Sequence, residues 1–367
     1  MGLIKDIYNI TFFNELGPRL QEVLPSLDKD AFIRQIYADG FREKEWKQRM
    51  QHITAVLHRF MPAGFLAATN VLVDFIEHLR NVGEGEDKLV YIFLPDYIAT
   101  YGLDDLEISS RALEFVTQFV SAEFAVRPFL LKYGQQMVDE MQRWSLHPHY
   151  KVRRLASEGS RPKLPWAMAV PLLKQLPLPT LSILENLKAD PAPWVRKSVA
   201  NHLNDLAKDY PDTVLEIAHR WKGISKETDA IVKHGCRTLL KQGHPAVLAL
   251  YGLDGREVQL TDFELLTPEV EMGGDLQFSF TVSNHAVQAQ VVRLEYAIYY
   301  RRLNDTLTKK VFKISERIYE GDESCLIKRR QSFRPITTRQ FYTGEHLLAI
   351  IINGEEKKSV AFSLVSF

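Results

Sequence analysis

The clearest indication of the architecture lies in two related segments, HPHYKVRRLASEGSRPKLPW (residues 147–166) and DPAPWVRKSVANHLNDLAKDYPD (residues 190–212). Each segment opens with a turn that contains proline and continues into a helix marked by a Val-Arg pair. The two pairs, Val152-Arg153 and Val195-Arg196, are 43 positions apart. A spacing of about 40–47 residues is typical of HEAT-like helix pairs that stack in series. The segments therefore predict an α-helical solenoid of HEAT-like repeats.

Helical patterns continue on both sides of these segments. Residues 1 to about 252 contain successive runs in which apolar residues recur at helical spacing. We predict helices from Asp104 to Ser121, from Glu123 to Trp144 and from Ala167 onward. A weaker third copy of the repeat lies at residues 231–233, so the helical part extends well beyond the two marked segments.

From about residue 258 the pattern changes to alternation of apolar and polar side chains, as in the run from Leu276 to Val282. Asn353-Gly354 between two apolar runs is a strong hairpin signal. About seven strands in about 110 residues predict a small all-β sandwich of immunoglobulin-like architecture. We therefore predict two domains, a helical-repeat domain at residues 1–255 and a β-sandwich domain at residues 256–367.

The composition is that of an ordinary globular protein. Lys plus Arg and Asp plus Glu both number 46, so the total charge favours no polyanionic partner, although a local basic stripe would still attract one. The two cysteines are too few for a disulfide framework or a zinc site. No secretory signal and no membrane span are predicted. We expect a cytoplasmic protein without membrane association.

Recognisable cofactor motifs are missing from the sequence. It has no glycine-rich phosphate loop, no nucleophile elbow and no Cys/His ligand set. We therefore predict neither a metal ion nor an organic cofactor.

Positive charge is concentrated in the first of the two segments. Between residues 143 and 166, six Lys or Arg residues accompany a single acid, Glu158. For Arg153 and Arg196 of the Val-Arg pairs a structural role is favoured, because such arginines often cap a helix or pair with the neighbouring repeat.

Arg154, Arg161 and Lys163 have no such role in the repeat. Helix N-termini that face one way along a solenoid, together with extra basic side chains, form a groove suited to phosphates. The residues alone leave two functions open, nucleic-acid binding and a scaffold that binds a partner protein.

Three acids are candidates for chemistry in or near this groove. For Glu158 the structural interpretation is a salt bridge to Arg154 or Arg161 on the same helix, and the functional one is a carboxylate kept among phosphate-binding groups. Glu123 and Asp205 are most simply surface acids. Taken singly, each acid is better explained by the structural interpretation.

Aromatic and histidine side chains complete the candidates. Packing and a surface that faces a ligand are equally favoured for Trp166. The other tryptophans of the repeats, including Trp194, are predicted to pack in the core or between repeats. His147 and His149 have no third ligand nearby, which favours turn residues beside phosphates over a metal site.

These segments resemble the DNA alkylation repair proteins of the AlkC type, relatives of AlkD in the HEAT-like glycosylase superfamily. The matching stretches are ELGPRLQEVLPSLDKDAFIRQIY (15–37), KQRMQHITAVLHRFMP (47–62), HPHYKVRRLASEGSRPKLPWA (147–167) and DPAPWVRKSVANHLNDLAKDYPD (190–212). The last two stretches are more specific than the generic consensus of a HEAT-like repeat. The resemblance covers about residues 1–255, and the predicted sandwich is similar to the immunoglobulin-like domain at the C-terminus of one AlkC subgroup.

The resemblance implies a monofunctional DNA glycosylase. Its expected reaction is hydrolysis of the N-glycosidic bond of cationic N3-methylated bases, 3-methylcytosine and 3-methyladenine, in duplex DNA and without base flipping. It implies that Glu123, Glu158 and Asp205 are acidic residues at the lesion and that Trp166 lies beside it.

We expect a monomer that binds double-stranded alkylated DNA. The predicted DNA-contacting residues are His147, His149, Lys151, Arg153, Arg154, Arg161, Lys163, Arg196 and Lys197. The alternative is a non-catalytic HEAT-repeat scaffold that binds DNA structures or a partner protein. A scaffold has no need for carboxylates and a tryptophan that converge on one point, so their arrangement discriminates between the two.

Overall fold

The computed structural model describes residues 3–176, 178–253, 257–336 and 339–366. The chain forms two compact units, the first from Met1–Leu206 and Trp221–Gly235 and the second from Ala207–Arg220 and Cys236–Phe367. The predicted boundary between residues 255 and 256 lies outside the described residues and stays a prediction.

Fifteen α-helices lie within the described residues. They are α1 (Ile10–Val23), α2 (Lys29–Ile36), α3 (Trp46–His58), α4 (Phe65–Asn81), α5 (Phe93–Tyr101), α6 (Leu106–Val116), α7 (Val126–Tyr133), α8 (Gln135–Trp144), α9 (Tyr150–Gly159), α10 (Leu181–Leu187), α11 (Pro193–Leu206), α12 (Pro211–Trp221), α13 (Lys226–Gly235), α14 (Arg237–Lys241) and α15 (Pro245–Leu250). Short 3-10 helices occupy Ile4–Ile7, Phe41–Glu43, Leu89–Tyr91 and Pro171–Lys174. No helix of the described residues is long and apolar enough to cross a membrane.

In the first unit the helices pack in the pattern of stacked repeats. Helix α9 contacts α11 and α11 contacts α13, so these three helices form one layer, while α10 contacts both α9 and α11. Each repeat buries its apolar side against its neighbours, which is how such arrays build a continuous core. The prediction of a helical-repeat architecture is confirmed.

The Val-Arg pairs have the structural role that the sequence favours. Both valines are fully buried. Nη1 of Arg153 donates to the main-chain carbonyls of residues 147 and 148, at 2.9 and 2.8 Å. Nη1 of Arg196 donates in the same way to the carbonyls of residues 190 and 191, at 2.8 and 2.7 Å. Each arginine thus closes the turn that precedes its own helix.

Three helix predictions are wrong in their bounds. The helix predicted from Glu123 to Trp144 is two helices, α7 and α8, because Gly134 between them has φ of +55°, which breaks a right-handed helix. Helix α6 ends at Val116 instead of Ser121. No α-helix begins at Ala167, since residues 167–170 are irregular.

The second unit contains eight strands among its described residues, where the sequence predicts about seven. They are β1 (Val258–Leu265), β2 (Glu269–Glu271), β3 (Asp275–Asn284), β4 (Gln290–Arg301), β5 (Leu307–Tyr319), β6 (Ser324–Ser332), β7 (Gly344–Ile352) and β8 (Glu355–Val365). They form a three-stranded sheet of order β1-β3-β6 and a five-stranded sheet of order β2-β8-β7-β4-β5. The pairing is antiparallel except between β2 and β8.

The sandwich core follows from the alternation in the sequence. The apolar side chains at alternate positions from Leu276 to Val282 in β3 are fully buried, and they belong to one core cluster with Leu294 and Ile298 of β4. Asn353 and Gly354 both have positive φ, 47° and 79°, as a type I′ hairpin turn between β7 and β8 requires. The prediction of a β-sandwich after the helices is confirmed.

Candidate active site

A cavity of about 510 Å³ lies in the first unit, beside α9. Its walls come from the start of α3, the segment between α4 and α5, the segment between α6 and α7, α9 itself, the irregular segment that follows α9 and the start of α11. The lining residues are Trp46, Asp87, Leu89, Ile92, Thr117, Val120, Ser121, Glu123, Phe124, Tyr150, Lys151, Arg154, Glu158, Arg161, Leu164, Pro165, Trp166 and Trp194. Sequence positions far apart thus contribute to one cavity with acidic, basic and aromatic walls.

Helix α9 lines one side of the cavity. Arg154 and Glu158 share one helix face because residues four apart are neighbours on a helix. Nδ1 of His149 accepts a hydrogen bond from the main-chain N–H of Lys151 at 3.3 Å and caps the helix N-terminus. At the other end, a Cβ on Gly159 would lie 2.6 Å from Cγ2 of Val126. Glycine at this position lets α9 pack closely on α7.

A buried arginine joins two of the predicted acids. Nη1 of Arg161 donates to Oε1 of Glu158 at 2.7 Å, and Nε donates to Oδ2 of Asp205 at 2.9 Å. Glu158 is 7% exposed and Asp205 is 2% exposed. Burial alone lowers the pKa of the Arg161 guanidinium, but the bonds to Asp205 and Glu158 outweigh burial and raise it. Arg161 is therefore a permanent cation that fixes both carboxylates.

A second pair holds the third acid. Glu123 lies in the turn before α7, and its Oε2 accepts hydrogen bonds from Nη2 of Arg154 at 2.9 Å and from the Ser121 hydroxyl at 3.0 Å. Nη1 of Arg154 also donates to the Ser121 hydroxyl at 3.2 Å. Glu123 and Arg154 are both half-buried and both line the cavity. The structural interpretation of Glu123 and Asp205 as surface acids is wrong, since Glu123 is half-buried and Asp205 is buried.

Charged groups of both signs meet in these two clusters. The carboxylates of Glu123, Glu158 and Asp205 pair with the guanidinium groups of Arg154 and Arg161. The acids are therefore held in fixed positions beside a partly closed cavity, where electrostatic interactions are stronger than in bulk water.

Trp166 stands at the mouth of the same cavity. Its side chain is 68% exposed, and its ring centroid lies 6.1 Å from that of Trp46. Its backbone has φ of +63°, a conformation that a bulky residue rarely adopts, and Lys47 Nζ donates to its carbonyl oxygen. Strain of this kind persists where the surroundings enforce it. Of the two interpretations of Trp166, the geometry agrees with a surface that faces a ligand.

The strain at Trp166 makes a testable prediction about two substitutions. Trp166→Gly is expected to be more stable than Trp166→Ala by about 1 kcal/mol, because glycine adopts positive φ without a steric cost. At an ordinary position the order is the reverse. Urea unfolding of both variants measures the difference in free energy. Equal stabilities, or a more stable alanine variant, would show that the backbone is not strained at residue 166.

A buried histidine lies beneath the acidic cluster. Nδ1 of His202 donates to the main-chain carbonyl of Ser157 at 3.0 Å, and Nε2 accepts from the Thr180 hydroxyl at 3.2 Å. Burial lowers the pKa of His202 to about 4, and the bond to Ser157 only partly offsets this effect. His202 is therefore neutral near pH 7 and holds the helix turn that carries Glu158.

The lowered pKa of His202 predicts a loss of stability in acid. Between pH 6.5 and about 4 the unfolded chain binds a proton that the folded chain does not. The free energy of unfolding therefore falls as the pH falls through this window, by up to about 3 kcal/mol from this group. Urea titrations at several pH values should show a smaller fall in His202→Asn. The exposed His219→Asn is the control, and an identical pH profile in all three proteins would contradict the prediction.

Only part of the predicted DNA-contacting set reaches the cavity. Lys151, Arg154 and Arg161 line it. The remaining six lie elsewhere in the first unit: His147, His149, Arg153, Lys163, Arg196 and Lys197.

Two of the predicted DNA contacts have clear structural partners. Lys151 Nζ lies 2.7 Å from a carboxylate oxygen of Glu86 and 3.0 Å from one of Asp87. Arg153 binds both carboxylate oxygens of Asp190, at 2.6 and 3.1 Å. These contacts favour roles inside the protein for Lys151 and Arg153, and DNA contact by either side chain stays a prediction.

Trp194 lines the cavity, although the sequence predicts that it packs in the core or between repeats. It is 60% exposed, lines the cavity, and lies under Lys197 Nζ at 5.4 Å from the ring centroid. The packing prediction is therefore wrong. The repeat spacing could have located it, because Trp194 is 43 positions after Lys151, which also lines the cavity.

Comparisons with known proteins match the chain over its full length. It is 40% identical over 365 residues to the Bacillus subtilis (strain 168) protein described as "Uncharacterized protein YhaZ", covering 99% of this chain and 100% of that protein. A family model described as "Uncharacterised protein YhaZ, C-terminal Ig-like domain" matches residues 259–366. A solved structure described as "Pseudomonas fluorescens alkylpurine DNA glycosylase AlkC bound to DNA containing an abasic site analog" is similar with a TM-score of 0.94 and 35% identity, covering 99% of this chain and 100% of that one.

These comparisons indicate the same family as the sequence stretches at residues 15–37, 47–62, 147–167 and 190–212. Identity at this level extends over the whole length of both relatives, and the family model covers the β-sandwich. The similarity therefore covers the helical repeats and the sandwich together. The chain belongs to the AlkC family of DNA alkylation repair proteins, with a C-terminal immunoglobulin-like domain.

Proposed function

We propose that this protein is a monofunctional DNA glycosylase that hydrolyses the N-glycosidic bond of cationic N3-methylated bases, 3-methylcytosine and 3-methyladenine. It acts as a monomer on double-stranded DNA in the cytoplasm. Glu158, Glu123 and Asp205 are the acids at the lesion, and Trp166 is the aromatic residue beside it. Family membership supports the general activity, and the cavity beside α9 supports the choice of residues.

The observation that supports this proposal most directly is that carboxylates and an exposed tryptophan from distant parts of the sequence meet at one cavity. Glu123, Glu158 and Trp166 line one cavity, and Asp205 is bonded to Arg161 in the same wall. A scaffold that only binds a partner has no need to bring scattered carboxylates and an exposed tryptophan to one point.

The chemistry of the leaving group explains why ionised carboxylates are sufficient and a proton donor is not required. Methylation at N3 gives the base a positive charge, so the base departs as a neutral molecule when the bond to C1′ breaks. No general acid is needed to protonate it. Positive charge then develops on the deoxyribose as an oxocarbenium ion. Water adds to this ion at C1′ and gives up its proton to a carboxylate of the site, which completes the hydrolysis.

The site's residues match this change in charge. A carboxylate fixed near C1′ stabilises the oxocarbenium ion, and fixed charges of this kind are usually the largest contribution to catalysis. Glu158 is held in place by Arg161, so it need not reorient during the reaction. The face of Trp166 adds cation–π attraction to the methylated base or sugar, worth about 0.5–2 kcal/mol.

We propose that the lesion stays in the base stack during excision, unlike the usual strategy of enzymes that extrude their target base. The family resemblance supports this part of the proposal. A fluorescent 2-aminopurine placed opposite the lesion reports on unstacking. Its fluorescence is expected to stay near that of the free duplex when the protein binds.

The experiment that tests the function is release of methylated base from a duplex with one 3-methylcytosine, followed by alkaline cleavage at the abasic site. A parallel reaction uses duplex with 3-methyladenine. Strand cleavage that depends on the protein supports a glycosylase. If neither substrate nor methylated genomic DNA releases base while DNA binding is retained, the scaffold interpretation replaces this proposal.

A further inference from the structure

Arg127 is an unusual buried cation at the start of α7. It is 1% exposed, and it donates four hydrogen bonds, all to main-chain carbonyl oxygens. Nη1 donates to Gly159 at 3.0 Å and to Arg161 at 2.7 Å. Nε and Nη2 donate to Met168 at 3.0 and 2.8 Å.

These bonds reach both ends of one irregular segment, residues 159–168. The segment begins where α9 ends and carries Arg161 near its start and Trp166 near its end. It has no regular secondary structure to define its path after α9. One guanidinium group that binds carbonyls at both ends therefore sets the distance between them.

The cost of burying this charge argues that it has a specific use. No ion pair between Arg127 and a carboxylate is found among the described residues. Burial, together with the smaller effect of the nearby positive charge of Arg161, lowers the pKa of Arg127 to about 10. Burying a charged group is expensive unless its hydrogen bonds are satisfied, and here only carbonyl oxygens satisfy them.

We propose that Arg127 is a positioning residue for base excision. It holds the 159–168 segment so that Arg161 can fix Glu158 and Asp205 while Trp166 faces the cavity. Arg127 does not line the cavity itself, so it acts through the segment and touches no substrate. This inference rests on the proposed glycosylase function.

Arg49 offers a matched control within the same chain. It is 8% exposed and also donates to three main-chain carbonyls, those of Lys44, Lys5 and Arg42, at 3.0, 2.8 and 2.8 Å. It lines a separate hollow near the N-terminus instead of the cavity beside α9. Its loss therefore measures what a buried arginine with similar bonds contributes to stability alone.

The test compares Arg127→Met, Arg127→Lys and Arg49→Met with the wild type, below the melting temperature of every variant. Single-turnover excision with saturating protein reports the chemical step, and affinity for duplex with an abasic-site analogue reports binding. Arg127→Met is expected to lower the excision rate about 30-fold or more with little change in affinity, since a misplacement of about 1 Å can lower a rate by about 100-fold. Arg127→Lys should recover part of the rate, and Arg49→Met should stay within about twofold of the wild type.

Hydrogen exchange of the intact proteins provides a readout that does not depend on activity. In Arg127→Met, the amides of residues 159–168 are expected to exchange faster, whereas Arg49→Met should leave their exchange unchanged. Unchanged exchange in this segment, or parallel losses of excision in the Met variants of both arginines, would overturn the proposal. If the wild type excises no base, the proposed function fails, and the exchange experiment still decides whether Arg127 positions the segment.

Discussion

Replacement of Glu158 by Gln is expected to abolish measurable excision while DNA binding stays intact or becomes tighter. Glutamine keeps the shape of the side chain and can still accept a hydrogen bond from Arg161 through its amide oxygen. What disappears is the negative charge beside the developing oxocarbenium ion. Loss of one fixed group of this kind typically lowers a rate by about 10²–10³-fold. DNA affinity is expected to stay the same or rise, because the substitution removes a negative charge that repels the phosphates.

The measurement is single-turnover release of base from the 3-methylcytosine duplex, together with fluorescence anisotropy of a duplex with an abasic-site analogue. The control is Glu107→Gln in α6, because Glu107 forms an exposed pair with Arg111 and lies outside the cavity. Excision by Glu158→Gln at the wild-type rate would remove Glu158 from the mechanism. Loss of both binding and excision would instead assign Glu158 a structural role.

Arg161→Met is expected to destabilise the protein by about 3–5 kcal/mol and to abolish excision as well. The substitution removes the cation that bonds to two buried carboxylates, Glu158 and Asp205. Breaking a buried ion pair by removing one partner usually has a cost of about this size. Excision is lost because both acids lose the group that orients them. Urea unfolding at pH 7 measures the free energy of unfolding.

The double variant Arg161→Met, Asp205→Asn separates charge from packing. If uncompensated charge is the cause, removal of one carboxylate should restore part of the stability, so the two changes are not additive. The surface counterpart Arg111→Met should change stability by less than about 1 kcal/mol, as exposed pairs usually do. A similarly small effect of Arg161→Met would mean that the Glu158–Arg161–Asp205 network is not essential to folding.

The sequence predicted the architecture well because the architecture follows from local periodicity. Apolar residues recur at helical spacing in stacked repeats and at every second position in the strands of a sandwich. Both patterns can be recognised in the sequence without knowledge of any long-range contact. The same holds for the Glu158–Arg161 pair, since the two residues lie three positions apart at the end of one helix. For Glu158, the structural and functional interpretations that the sequence left open are compatible, because the salt bridge orients the candidate catalytic group.

The parts of the site that the sequence missed depend on contacts between distant residues. Asp205 meets Arg161 across 44 positions, and the Arg127 contacts with residues 159–168 span between 32 and 41 positions. The helix predicted from Ala167 fails for the same reason. The main-chain carbonyl of Met168, at the start of the predicted helix, bonds to Arg127 instead of to a helical N–H, and no local pattern encodes that partner.

Pairing of the basic residues inside the protein also determines how the protein should respond to ionic strength. Lys151, Arg153, Arg154 and Arg161 are each neutralised by a carboxylate before DNA arrives. DNA affinity depends on salt because protein cations displace condensed counterions from phosphates, and a cation that already has an internal partner displaces fewer of them. The slope of log affinity against log salt concentration should therefore be shallower than the number of basic residues in the 147–166 segment suggests. On the proposed function, selectivity would come from the charge of the lesion and from a carboxylate that Arg161 holds in place.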